Sequence, residues 1–267
     1  MNWQEGILWL RSDPLGWALL IFCGAALGSF VNVVIHRLPR GESVVRPPSH
    51  CPGCQQRIAW YDNVPLLSFL WLRGRCRRCG QSISLRYPLV EALAAGLTLA
   101  VGLWAPSAIG AAATLLFALA LLAIIFIDYD HRIIPDSITL PGILIGLLVA
   151  LFTPRSLAAA LGGVLVGGGG LLAVAWAYRR VTGRDGLGMG DVKLMAMVGA
   201  FIGWQGALAT LVLGSLGGSL VGVALIASRR GSGQTALPFG SFLAPAAWVA
   251  LFVGERLWQA YLGLFGL

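Results

Sequence analysis

Residues 107–136 read SAIGAAATLLFALALLAIIFIDYDHRIIPD, and this stretch decides the fold. From Ser107 to Ile127 there is no charge, and then Asp128 arrives. About 20 apolar residues are what a helix needs to cross the hydrocarbon of a bilayer. The stretch therefore predicts a transmembrane helix whose end carries a carboxylate, and carboxylates at such places are costly and mostly functional. A second stretch, Gly188-Met189-Gly190-Asp191-Val192-Lys193, sets another aspartate at the edge of an apolar run.

The rest of the chain agrees with a membrane setting. Of its 267 residues 57% are hydrophobic and only 11% charged, more apolar surface than a water-soluble domain can bury. The first apolar run spans about 15–35. Further spans are expected near 88–104, 107–127, 138–152, 157–178, 191–203, 206–227 and 241–264, with turn residues at Pro106, Pro154 and Gly203–Gly206 between them. The run from 191 to 227 is too long for one ordinary crossing, so a tight hairpin is expected within it. The expected fold is thus an all-α polytopic membrane protein of about eight transmembrane helices.

Between the first two spans the composition changes sharply: residues 37–87 hold nine arginines and four of the five cysteines. The division expected is 1–36 as N-terminal anchor and first transmembrane helix, 37–87 as a small polar domain, and 88–267 as a membrane domain of about seven helices. Residues 1–13, with Trp3, Ile7, Leu8, Trp9 and Leu10, read as an interfacial anchor rather than a cleavable signal. With eight spans, the loops on one side, together with Lys193 at the same membrane edge, hold 16 of the 19 Lys and Arg residues, and the positive-inside rule makes that side cytoplasmic. The net charge of +8 is therefore a topology signal and not a sign of nucleic-acid binding. Two crossings separate Asp128 from Asp191, which puts both carboxylates at the cytoplasmic face.

Cys51-Pro-Gly-Cys54 and Cys76-Arg-Arg-Cys79 are two CxxC pairs with 21 residues between them. This is close to zinc-ribbon spacing, where two knuckles complete a tetrahedral thiolate site, and Gly53 and Gly80 suit the tight turns. Four thiolates leave no open position, so the zinc is structural and folds a domain too small for its own core. Cytoplasmic thiols stay reduced, which disfavours disulfides. Cys23, inside the first span, reads as a small packing residue. The glycines of 162–170 read as a helix-packing face.

Asp128, Asp130, Asp136, Asp185 and Asp191 could serve merely as helix caps and loop charges. That reading is weak for Asp128, which closes a helix where the dipole disfavours an anion. Two close carboxylates share one proton, so one activates water while the other donates to a carbonyl oxygen. The pair can hydrolyse a peptide, or, in a transporter, carry protons or cations.

The chain resembles the bacterial type IV prepilin peptidases, the leader peptidase/N-methyltransferases. The resemblance rests on Gly28-Ser-Phe-Val-Asn-Val-Val-Ile-His-Arg-Leu-Pro39, Pro47-Pro-Ser-His-Cys-Pro-Gly-Cys54, Trp60-Tyr-Asp-Asn-Val-Pro65, Arg75-Cys-Arg-Arg-Cys79 and Arg86-Tyr-Pro-Leu-Val-Glu91. It continues through Ile127-Asp128, Ile134-Pro135-Asp136, the Gly188–Lys193 motif and Leu237-Pro-Phe-Gly-Ser-Phe-Leu-Ala244. It implies that Asp128 and Asp191 are the catalytic pair of a membrane aspartyl endopeptidase in the bacterial inner membrane. Such an enzyme removes the basic leader of prepilins or pseudopilins after glycine at the cytoplasmic face, and methylates the new N-terminus with S-adenosylmethionine. A peptidase without the methyltransferase activity is the nearer alternative, and a transporter the more distant. Asp130, Asp136, Gly188, Gly190, Lys193 and Glu91 are candidates for substrate binding, Glu91 also as a base for methyl transfer, and Asn32 for the methyl donor. Ser241 departs from the family, where many relatives carry proline, and little is expected of that difference.

Overall fold

The computed structural model describes residues 11–153, 156–228 and 237–264. The anchor expected of residues 1–13 falls mostly outside them, as do Pro154 and most of the loop before Leu237. Among the described residues regular structure is helical, with only two isolated β-bridges. The helices are α1 (Pro14–Arg37), the short α2 (Leu67–Trp71), α3 (Arg86–Trp104), α4 (Ala108–His131), α5 (Asp136–Ala150), α6 (Leu157–Thr182), α7 (Met189–Ala227) and α8 (Gly240–Leu264). Five helical stretches are long and apolar enough to cross a membrane: Pro14–Arg40, α3, α4, α6 and α7. α5 and Gly240–Gly254 are apolar but shorter. Several apolar helices of this length make the chain a multi-pass membrane protein.

Packing divides the chain into two compact units, Met1–Ala123 and Ile124–Leu267. In the first, α1 lies antiparallel on α3. The contact is made by small residues: a Cβ on Gly24 would stand 2.7 Å from the Ala95 Cα, and one on Gly28 would stand 2.7 Å from the Glu91 Cα. Lipid tails are as apolar as leucine, so such close backbone approach, rather than hydrophobic burial, holds membrane helices together. Asp13 caps α1 by accepting the Leu15 N–H at 2.8 Å, and Pro14 fills the first helical position, where no N–H is needed. Cys23 is exposed and Gly24 beside it makes the contact instead, so the packing role expected of that thiol is not seen.

In the second unit α7 is the spine. Gly203 adopts φ 75°, ψ 179°, which breaks the helix and which only glycine takes without strain. The chain turns back there. A Cβ on Gly167 would meet both the Met195 carbonyl and, at 3.3 Å, the Ala207 Cβ. Twelve residues apart on a straight helix, those atoms would be about 18 Å from each other. The hairpin expected between 191–203 and 206–227 is therefore present, at Gly203. α6 packs antiparallel on the first half of α7 through Gly163, Gly167 and Gly168, against Gly199, Met195 and Ala196. A single π turn at Leu165–Gly169 brings Gly167 and Gly168 onto that face. α5 lies parallel to the same half, with Gly146 against Ala200 and Phe201, and α8 lies antiparallel to the second half, with Gly214 against Leu243. Gly163, Gly167 and Gly168 thus serve the packing face expected of this cluster, while Gly162, Gly169 and Gly170 face open space.

A Cβ on Gly163 would collide with the backbone of Gly199, so Gly163→Ala forces two helices apart. Overpacking of this kind costs about 1–3 kcal/mol. Thermal unfolding in detergent should show a clearly lowered midpoint, whereas Gly162→Ala, with open space around it, should leave the midpoint in place.

Candidate metal centre and carboxylate pair

The four-cysteine segment is a twofold internal repeat at an offset of 25 residues. Cys51 N–H bonds the Gln56 carbonyl and Cys76 N–H the Gln81 carbonyl; Gln55 N–H returns to Cys51 O and Gly80 N–H to Cys76 O. The two bridges, His50 with Arg57 and Arg75 with Ser82, complete the match. The ligand atoms of Cys51, Cys54, Cys76 and Cys79 all lie within 4.8 Å of one another. Backbone N–H groups of Cys79 and Arg78 point at the Cys76 sulfur and push its thiol down to about 6, which favours the metal-binding thiolate. A soft, four-thiolate tetrahedral set fits zinc. Gly80 sits at φ 72° as a knuckle turn requires, but its counterpart is Gln55 at φ 56°, not Gly53. Sequence spacing could not show that, because the strained position is filled by a residue without the usual glycine mark.

From within the second knuckle, Arg77 forks onto Asp62 with contacts of 2.6–3.0 Å and holds that carboxyl below its usual range. A lowered carboxylate contributes stability above its ordinary value and loses it as pH falls through the lowered one. Asn32 donates to the Tyr87 carbonyl at 3.1 Å, joining α1 to the start of α3. Glu91, only 8% exposed, accepts the Leu66 N–H at 2.8 Å, where Leu66 has φ 61°. Both nominated side chains are therefore engaged in holding α1, α3 and the turn before α2. Sequence gave no hint of the Leu66 partnership, since a strained leucine carries no composition signal.

In the second unit the two aspartates come together at two helix starts. Asp128, 4% exposed, lies in the last turn of α4, which runs four residues further than the expected end of the span. Its Oδ2 accepts the Ser241 backbone N–H at 2.7 Å and the Ser241 hydroxyl at 3.1 Å. These donors belong to the first turn of α8, so the carboxylate of Asp128 caps that helix although it rides on the end of another. The unfavourable dipole of α4 is thereby offset by the favourable one of α8. Asp191 is the third residue of α7, with Gly188 as N-cap and its own N–H on the Gly188 carbonyl at 3.1 Å. Its Oδ2 lies over Gly188, and Asp128 is within electrostatic reach of it.

What draws the two helix starts together is Ile134. A Cβ on Gly190 would stand 3.0 Å from the Ile134 Cβ; one on Gly240 would stand 2.7 Å from the Ile134 Cδ1 and 3.0 Å from the Asp128 Oδ2. Both positions lack a side chain so that this one isoleucine can reach both. Gly240→Ala would press on Ile134 and on the Asp128 carboxylate together. A displacement of that size costs on the order of 10²-fold in rate at a two-carboxylate site, to be read as the turnover of a cleavable leader peptide.

The other nominated residues divide. Asp136, at the start of α5, is paired with Lys193 at 2.7 and 2.8 Å, joining α5 to α7 two residues past Asp191. Asp130 is exposed and does not face the same way as Asp128. Gly188 and Gly190 serve the cap and the Ile134 contact described above. Asp185 pairs with Arg179 at 3.4 Å.

Residues 22–105 match the family described as bacterial peptidase A24 N-terminal domain, and residues 115–223 match the type IV leader peptidase family. A prepilin leader peptidase/N-methyltransferase of Aeromonas hydrophila is 40% identical, over 98% of this chain and 97% of the relative. Proteins of the same description are 40% identical in Stutzerimonas stutzeri, over 95% and 96%, and 38% identical in Pseudomonas aeruginosa, over 97% and 98%. No solved structure matches the chain.

Proposed function

We propose that this chain, which belongs to the type IV leader peptidase family, is a membrane aspartyl endopeptidase and N-methyltransferase acting on type IV prepilins or pseudopilins. The observation that carries the peptidase half is the meeting of Asp128 and Asp191 at the first turns of α8 and α7. Two carboxylates in this arrangement share one proton and titrate as a unit. The ionised one takes a proton from water, whose oxygen attacks the carbonyl carbon of the leader's last glycine. The protonated one gives its proton to the carbonyl oxygen. Collapse of the tetrahedral species breaks the C–N bond, and the first carboxyl returns its proton to the leaving amine. The free amine is the N-terminus that methylation then consumes.

The positive-inside distribution of Lys and Arg supports a bacterial inner-membrane protein with this pair at the cytoplasmic face. Asp130 and Asp136, both exposed, are the candidates for meeting a basic leader, and Asp136 also pairs with Lys193. Cys51, Cys54, Cys76 and Cys79 would hold a zinc ion with no position left for substrate, so its contribution is to fold residues 49–83. S-adenosylmethionine would supply the methyl group. The residues nominated for it do not form an open site: Asn32 and Glu91 are occupied with helix and loop contacts, and no methyl-transfer step is assigned to them. A transporter reading loses its ground, since the ordered motifs and full-length relatives belong to a peptidase family.

The test is mass spectrometry of a prepilin incubated with the purified protein, with and without S-adenosylmethionine. Loss of the leader in both samples, with one added methyl only when the donor is present, is the expected result. Leader loss with no methyl would confine the protein to proteolysis. An intact prepilin would overturn the reading.

A further inference from the structure

Ser241, of which little was expected, stands against Asp128 with two donors. Its backbone N–H, at 2.7 Å, can only donate, so Oδ2 is its acceptor. Its hydroxyl reaches the same oxygen at 3.1 Å and has an alternative acceptor, the Ile125 carbonyl, also at 3.1 Å. Both donors converge on one oxygen of the carboxylate. Ser241 lies in the first turn of α8, and its N–H is shared between the Pro238 carbonyl at 3.2 Å and, closer, the Asp128 Oδ2 at 2.7 Å.

We propose that Ser241 is a positioning residue for Asp128: it pins Oδ2 and thereby directs Oδ1 to the reacting water, making Asp128 the base of the pair and Asp191 the acid. This rests on the peptidase reading above. Hydrogen bonds to the charged form favour that form, and Asp128 receives two from one residue. The proton that the pair holds at the start of the reaction then resides on Asp191. In the attack step the water O–H bond breaks, its proton goes to Asp128 Oδ1, and the Asp191 proton goes to the carbonyl oxygen. When Asp128 becomes protonated, the hydroxyl of Ser241 can swing to the Ile125 carbonyl while the backbone N–H stays on Oδ2. The carboxyl is thus held in one orientation through both protonation states, which an apolar side chain at 241 does not provide.

Two variants test the hydroxyl. Ser241→Ala removes it and keeps the N–H. Ser241→Thr keeps both. Steady-state cleavage of a prepilin leader peptide should show kcat down about 3- to 10-fold for alanine, with KM unchanged and most of the rate recovered by threonine. Asp128→Asn and Asp191→Asn are run beside them. If the alanine variant cleaves like the parent while both asparagine variants are dead, the role of Ser241 is overturned and the peptidase reading stands. A rise in KM with kcat unchanged also overturns it, since it would make Ser241 a substrate contact. Normal cleavage by Asp128→Asn would overturn the reading on which the proposal rests.

Discussion

Asp128→Asn and Asp191→Asn each abolish leader cleavage, by about 10³-fold or more, because general acid and general base each contribute some 10²- to 10⁴-fold. Asparagine has nearly the shape of aspartate and can still meet Ser241 or the first turn of α7, so the helix packing survives. The loss should therefore appear in kcat with little change in KM. Methylation of a peptide that already lacks its leader should persist in both variants, since it does not need the carboxylate pair. Assay of the two activities on the same preparation checks this. Loss of both activities together would mark a folding defect instead.

The second large effect concerns the four thiolates. Cys76→Ser removes one of the four ligands that converge within 4.8 Å, and structural zinc sites of this kind are worth about 10–16 kcal/mol of apparent binding energy at neutral pH. The domain around it has little else to hold it: Cys51 is its only hydrophobic residue between 49 and 83 buried in the structure. Metal analysis should find about one zinc per parent chain and almost none in the variant. Limited proteolysis should then nick the variant within residues 49–83, where Arg57, Arg73, Arg75 and Arg78 offer sites. Full zinc content in the variant would contradict the four-thiolate site. Because the ion has no open position, strong chelation should act on cleavage only through this loss of structure.

Much of this was legible in the sequence, for physical reasons. A bilayer imposes length and polarity on helices, so the apolar runs announced themselves, and α1, α3 and α6 begin within two residues of expectation. The turn at Gly203 was readable because a run from 191 to 227 is too long for one crossing. Asp128 and Asp191 stood out because carboxylates are rare beside such runs. The cysteines stood out by spacing. What the sequence did not disclose are pairings between distant ordinary residues. Ile134 is one isoleucine among many until two glycines 56 and 106 residues away are seen to face it. Ser241 looked like a small departure from a motif, and its value lies in an N–H, which every residue but proline has. Asp136 and Lys193 were each nominated for substrate, and their mutual ion pair joins positions 57 residues apart. Gln55 hides a left-handed turn that the repeat alone reveals, by its equivalence to Gly80.

The most direct test of the carboxylate pair is a structure of the protein bound to a leader peptide whose scissile bond is replaced by a hydroxyl-bearing isostere. That hydroxyl stands where the attacking water or the tetrahedral oxygen would be. The account predicts it within hydrogen-bonding distance of both Asp128 and Asp191, with Ser241 still on Asp128 Oδ2. A peptide bound with its hydroxyl touching neither aspartate, or only one of them, would contradict it.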